Sequence, residues 1–349
     1  MRLNRQPYNM GDRHPTAFQR IIRGQPAAGK STRAIMIEQL RHPVVRDLAW
    51  VALSAPLLGP GALPLRDPLD GSIWRSEPMR LHQALVQLER QPQRLDDVFA
   101  NARDRRLGSY YERLWHMLLE LAPDVRLLGH NITLHRQGRT LGELDLLLET
   151  PNGEVLHLEL AIKFFLGYPQ GVDTSLSSSP ASAWWGPDPQ DRLDRKLNHM
   201  LTHQLPLGVQ LDLSDSAWPR VERSCAWLQG CLFYPAAQPM PRMIHATDTP
   251  QTHLWCHVHQ ASERLPADSH WSPLAHKAWL MPPSSPSVVL SPDQIAAQLG
   301  GLLDSSPGGV MLWRIDDAGT DPLQAQRLFL VSRHWPNKGD SEQLLAYSA

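Results

Sequence analysis

TLGELDLLLETPNGEVLHLELAIKFFLG, residues 140–167, reads as two strands joined by a turn. The first run, 141–149, is apolar apart from its acids, and Pro151-Asn152-Gly153 is a turn signal. Side chains alternate faces along a strand. Glu143 and Asp145 therefore share one face of the first strand, and His157, Glu159, Ala161 and Lys163 share one face of the second. Strands this apolar belong in a core, where charged residues survive only if paired or bound to a metal. Acids and a lysine gathered on one sheet face predict a divalent-cation site with a positive charge beside it.

The pattern Gly142-Glu143-Leu144-Asp145, a turn, then Glu159-x-Ala161-x-Lys163 resembles the core of the PD-(D/E)XK nuclease superfamily. It resembles more closely a bacterial family of unknown function thought to share that fold, over about residues 44–235. The resemblance implies an α/β fold with a restriction-endonuclease-like core, α-β-β-β-α-β. It also implies Mg²⁺ (or Mn²⁺) held by an Asp and a Glu, with a Lys two residues after the Glu helping to activate water. Carried across, Asp145 is the Asp and Lys163 the Lys. Ala161 stands where the Glu is usual, so Glu159 takes that role from one pleat back, about 6–7 Å along the strand. Glu143 and, from the first core helix, Glu112 complete the implied metal ligands. Arg192 and Lys196, on the second core helix, are the implied phosphate contacts. The function expected is metal-dependent phosphodiester hydrolysis on nucleic acid. The alternative is a binding module that keeps the fold without the chemistry, which Ala161 favours.

Outward from the hairpin, LGSYYERLWHMLLEL at 107–121 has the apolar stripe of an amphipathic helix. Glu112, three residues after Ser109, also fits a capping box. Residues 124–136 form the expected first core strand, 187–205 the second core helix and 223–234 the last core strand. Helices are expected earlier, at 42–58 and 81–91, on one side of the core. The connection 168–187 contains Trp184-Trp185 and has two readings: a cover over the site that stacks a base, or packing against the next helix. Beyond residue 235 the strand-like runs 252–259, 277–281, 309–315 and 327–331, with a helix at 295–303, predict a β-rich region. His253, Cys256, His257 and His259 have the chemistry of zinc ligands. With no second cluster at zinc-like spacing, they read as ordinary strand residues.

A chain of 349 residues has room for an ample core, divided on this reading into an N-terminal extension 1–40, a nuclease-like core 41–235 and a C-terminal region 236–349. A formal charge of −1 supplies no general basic field, so nucleic acid would need a local patch. Three cysteines without a CxxC pair fit a reducing cytoplasm. No signal peptide is read at the N-terminus, and the apolar run 48–58 is far short of the ~20 residues of a membrane span. Gly24 to Ser31 fits the phosphate-binding pattern G-x4-G-K-[ST]. It lacks a buried strand before it and an acid-bearing strand after it. It is read as coincidence in a poorly ordered extension, with a P-loop nucleotide-binding protein as the rival.

Overall fold

The computed structural model describes residues 32–99, 106–136, 138–210, 218–247, 253–305, 308–315 and 322–337. The phosphate-loop pattern at 24–31 lies outside them. The described chain opens with α1 (Thr32–Glu38), at the end of the expected extension, and Ile37 and Leu40 are already fully buried in the core. Then α2 (Pro43–Leu53) starts on a proline, which suits the first helical turn because its missing N–H has no helical partner there. Every residue from Val45 to Leu53 on α2 is buried, so this helix is an interior one. Next come α3 (Ile73–Ser76), α4 (Pro78–Glu89), α5 (Pro92–Phe99) and α6 (Leu107–Leu121). The expected apolar stripe of α6 holds, with Tyr111, Leu114, Trp115 and Leu118 buried. Its cap does not: the N-cap is Arg106, with no side-chain hydrogen bond, so Glu112 lies inside the helix.

The sheet begins with β1 (Arg126–Arg136), β2 (Arg139–Glu149) and β3 (Val155–Gly167), successively antiparallel. Two tight turns at Gly138 and Gly153, both at positive φ, connect them. Short β4 (Ser178–Ser179) and β5 (Trp184–Trp185) follow, the latter pairing with the end of β3. The second core helix is in two pieces, α7 (Leu193–His199) and α8 (Leu205–Gln210), joined by a π-helical turn, Met200–Gln204. It begins at Leu193, later than expected, and runs further. Then β6 (Arg223–Pro235) returns parallel to β3 over eleven paired positions, from Leu156↔Arg223 to Leu166↔Phe233. Helix, three strands, helix, strand is thus the order observed.

Beyond β6 lie β7 (Arg242–Met243), β8 (His253–His257), β9 (Trp271–Pro273), α9 (Pro292–Ser305), β10 (Gly309–Arg314) and β11 (Arg327–Val331). The mixed nine-stranded sheet runs β1-β2-β3-β6-β8-β11-β10-β9 with β5 beside β3. The C-terminal strands therefore extend the core sheet, joined to it through Tyr234↔Leu254 and Pro235↔Trp255. The run at 277–281 is not a strand. It contains a 3-10 turn, His276–Trp279, followed by residues that Pro282 and Pro283 keep out of regular pairing.

Even-numbered β3 residues, Leu156, Leu158, Leu160 and Phe164, face the N-terminal helices in the largest apolar cluster. Odd-numbered Ala161 and Phe165 face the other way, against Trp184 and Leu193. Each fully buried leucine contributes about 1.5–3 kcal/mol over its exposed state. The sheet is sandwiched between α2, α4 and α6 on one side and the α7–α8 arm on the other. Buried Gln229 of β6 ties the layers together. Its amide donates to Val51 and Ser54 carbonyls at 3.0 and 2.9 Å, and its oxygen accepts from Tyr111 at 2.7 Å.

The strap around 279–282 is fastened by charges. Arg327 donates to the Trp279 carbonyl at 2.6 Å and to that of Leu280, and Arg46 donates to the Pro282 carbonyl at 2.9 Å. Asp47 accepts from the Met281 N–H at 3.2 Å and from the Tyr110 hydroxyl at 2.7 Å. Burial pushes Asp47 up to about 7, against the pull of these donors and of Arg46 and Arg327.

Candidate functional site

The ladder between β2 and β3 runs from Glu149↔Val155 to Leu146↔Leu158 and stops there. Past that point the N–H of Leu160 donates to a carboxylate oxygen of Asp145 at 2.8 Å. A side chain replaces the backbone partner, and the two strands fork around it. Burial first, and then the neighbouring Glu159 carboxylate, push Asp145 up to about 8, against the Leu160 N–H. A neighbouring carboxylate disfavours the ionised form of Asp145, as its burial does.

Glu159 is fully buried and held at both oxygens. One bonds His157 Nε2 at 2.7 Å, and the other accepts from the Gln204 amide. His157 is also fully buried, and its Nδ1 lies 3.0 Å from the Ser224 hydroxyl on β6. His157 thus bridges Glu159 on its own strand and Ser224 on β6. Gly208 of α8 covers this pair so tightly that a Cβ there would stand 2.5 Å from His157 Nδ1 and 2.6 Å from Ser224 Oγ.

The cations divide into two groups. Lys196, on the second turn of α7, donates to the Gln204 oxygen at 2.9 Å. Burial, then the charge of Lys163, lower its pKa, while Glu159, Asp145 and Asp191 oppose them. Lys163 is bound to Asp191 at 2.7 Å. Arg192 forms a two-pronged pair with Asp194, at 3.0 and 2.8 Å, and lies 5.5 Å from the centre of the Trp185 ring. The implied phosphate contact of Arg192 thus has an acid partner already.

Glu112 and Glu143 form an outer pair. Asn131 donates to Glu143 at 3.1 Å and to Glu112 at 3.5 Å, and Thr133 donates to Glu143 at 3.4 Å. Burial, with the Glu143 charge adding to it, raises Glu112 against the Asn131 bond. Glu112 also adds to the charge pushing Asp145 up, so the outer pair borders the inner one. Of the expected residues, Asp145, Glu159 and Lys196 come together, Glu112 and Glu143 sit beside them, and Lys163 and Arg192 are turned to Asp191 and Asp194. The inner pair offers hard oxygen donors, and Mg²⁺ characteristically takes one or two carboxylates with water and substrate phosphate. Among the described residues no group of three or more His, Cys, Asp or Glu is placed to hold a metal by itself.

Sequence reading missed Gln204, Ser224 and Asp191. Gln204 reaches Glu159 from the last residue of the π turn, and no local pattern announces that turn. Both tryptophans pack within the protein. Trp184 is fully buried and donates to Ser179 at 3.1 Å, whereas half-buried Trp185 packs against Tyr168 with ring centres 5.0 Å apart. Trp335 closes that group, donating to the Gly186 carbonyl at 3.3 Å. His257 bonds the Ser332 carbonyl at 2.8 Å, and His253 packs on Phe233. Cys225, Cys231 and Cys256 are buried and form no disulfide among the described residues.

A family model described as a domain of unknown function (DUF1853) matches residues 46–331. No curated protein and no solved structure matches the chain. No helix among the described residues is long and apolar enough to cross a membrane.

Proposed function

The chain belongs to the DUF1853 family, and from that premise we propose that it is a divalent-cation-dependent phosphodiesterase of nuclease-like fold acting on nucleic acid. The observation that carries this is the buried pair Asp145 and Glu159 at the fork of β2 and β3. The element order supports it, since it follows the α-β-β-β-α-β succession that the hairpin resemblance implies. A bound Mg²⁺ or Mn²⁺ polarises a phosphodiester and acidifies a water molecule. The protein's part is to hold charge in place. Asp145 and Glu159 would hold the cation, with His157 and Gln204 fixing the orientation of Glu159. Water exclusion by the α7–α8 arm strengthens each of these interactions.

A second reading keeps the fold as a nucleic-acid-binding module without catalysis. Ala161 in the usual acid position favours it, as does a Glu159 whose two oxygens both have partners. One series separates the two. Mn²⁺ titration by calorimetry is paired with cleavage assays on single-stranded and duplex DNA and RNA, for wild type and Asp145→Asn. The hydrolase reading expects Mn²⁺ binding and cleavage in wild type and neither in the variant. Nucleic-acid binding without cleavage establishes the module instead, and a wild type that takes no Mn²⁺ overturns the cation site.

A further inference from the structure

We propose that the cavity enclosed by α2, α5, α6 and the strap binds a small amphipathic carboxylate, its apolar body inside and its charge at the rim beside Arg41 and Lys277. Neither Asp145 nor Glu159 lines this cavity. It measures about 370 Å³, within the ~300–1,000 Å³ of small-molecule pockets. At ~30 Å³ for each water-sized group, it has room for about a dozen non-hydrogen atoms. Leu95 and Phe99 of α5 and Met281 of the strap are buried in its wall. Phe99 meets Tyr110 of α6 edge-on, with ring centres 5.5 Å apart.

The polar groups of the wall fall into two sets. Those at the buried floor are already matched. Asp47 accepts from Tyr110 at 2.7 Å and from Met281 at 3.2 Å, and Arg46 donates to the Pro282 carbonyl at 2.9 Å. The charged end of a ligand gains little at that depth, whereas an apolar body can lie there without leaving a polar group unpaired. The rim differs. Arg41 and Lys277 are exposed, and neither side chain is ion-paired among the described residues. The Lys277 ammonium stands 5.9 Å from the centre of the Tyr110 ring, which holds it at the cavity's edge. The whole lining carries three cations, Arg41, Arg46 and Lys277, against two acids, Asp47 and Asp96. Burial that pushes Asp47 up to about 7 adds to the positive excess near neutral pH. A positive rim above an apolar floor selects an anion with a hydrocarbon body. Exposed Asp96 on the same rim opposes a doubly charged head, such as a phosphate, more than a single carboxylate.

Calorimetry on the full-length protein at near-neutral pH tests this with three probes of one chain length: octanoate, octylammonium and 1-octanol. Octanoate should bind at one saturable site, and the other two should bind about tenfold or more weakly. Removing both rim cations, Arg41→Met together with Lys277→Met, should weaken octanoate about tenfold, as for the loss of two exposed charge pairs. It should leave 1-octanol unchanged. Ala278→Leu adds bulk to the cavity wall and should weaken octanoate and 1-octanol alike. Both rim cations are exposed, so the double variant remains a test where Ala278→Leu fails to fold. Octanoate that does not saturate, octylammonium that binds as tightly as octanoate, or a double variant with wild-type octanoate affinity overturns the proposal. So does wild-type affinity in an Ala278→Leu protein that is folded by circular dichroism, because octanoate then lies elsewhere.

Discussion

Two places where the described residues bury charge are built on opposite rules. At the strap, Arg46 and Arg327 meet carbonyl oxygens, and Asp47 meets an N–H and a hydroxyl. Each group meets partners of complementary charge or polarity, and the result is a fastening between α2 and the C-terminal strands. At the fork, Asp145 faces another carboxylate, Glu159, and Lys196 is hydrogen-bonded to that second acid only by way of Gln204. Complementary buried charges hold a chain together, while adjacent like charges cost stability and gain it back only from something added. The difference separates a structural cluster from a candidate site without reference to any motif.

The largest effect that would test this contrast is at the strap. Arg327→Met leaves the Trp279 and Leu280 carbonyls and the Asp47 side of the cluster short of a donor and a positive charge. It should cost about 3–5 kcal/mol in urea unfolding, with Mn²⁺ affinity unchanged. If Mn²⁺ affinity falls as far as stability does, the two clusters are not independent.

A smaller effect comes from Asp47, whose carboxyl is raised from its usual range to about 7. An acid raised in the fold contributes stability that is complete below its unfolded value near 4. That contribution is lost as pH rises through about 7. Asp47→Asn cannot ionise and avoids this loss. Its stability relative to wild type should therefore improve between pH 4 and 8 by roughly 2–4 kcal/mol. Parallel urea midpoints across that range would show instead that Asp47 is ionised throughout.

The smallest expected effect joins structure to site. Gly208→Ala places a Cβ against His157 and Ser224 and should cost about 1–3 kcal/mol. Because His157 holds Glu159, this change should also weaken Mn²⁺ binding, which Arg327→Met should not. Loss of stability with full Mn²⁺ affinity would show that His157 has no part in orienting Glu159.

Alternation and turn chemistry made the hairpin, the order of core elements and the convergence of Asp145 with Glu159 readable from the sequence. Those features depend on backbone periodicity, which is local. What stayed hidden depends on where long side chains turn. Asp191 and Asp194 stand close to Arg192 in the sequence, yet nothing there says that Asp191 takes Lys163 and Asp194 takes Arg192. The run 277–281 has the composition of a strand but not its backbone: two prolines follow it, and its Trp279 and Leu280 carbonyls go to Arg327 from a distant element. Asp124, read as the start of β1, instead bonds the Ser72 hydroxyl at 2.6 Å and the Ile73 N–H at 2.7 Å, helping to start α3.

The indole of Trp335 reaches back 149 residues to the carbonyl of Gly186, in the loop that carries Asp191. A polypeptide leaves the ribosome from its N-terminus, and its parts fold as they emerge. The hairpin and its acids are therefore synthesised long before the residue that seals their flank. The loop around Asp191 therefore gains this hydrogen-bond donor only after residue 335 has been made. Completion of the loop around Asp191 thus marks the arrival of the C-terminal strands.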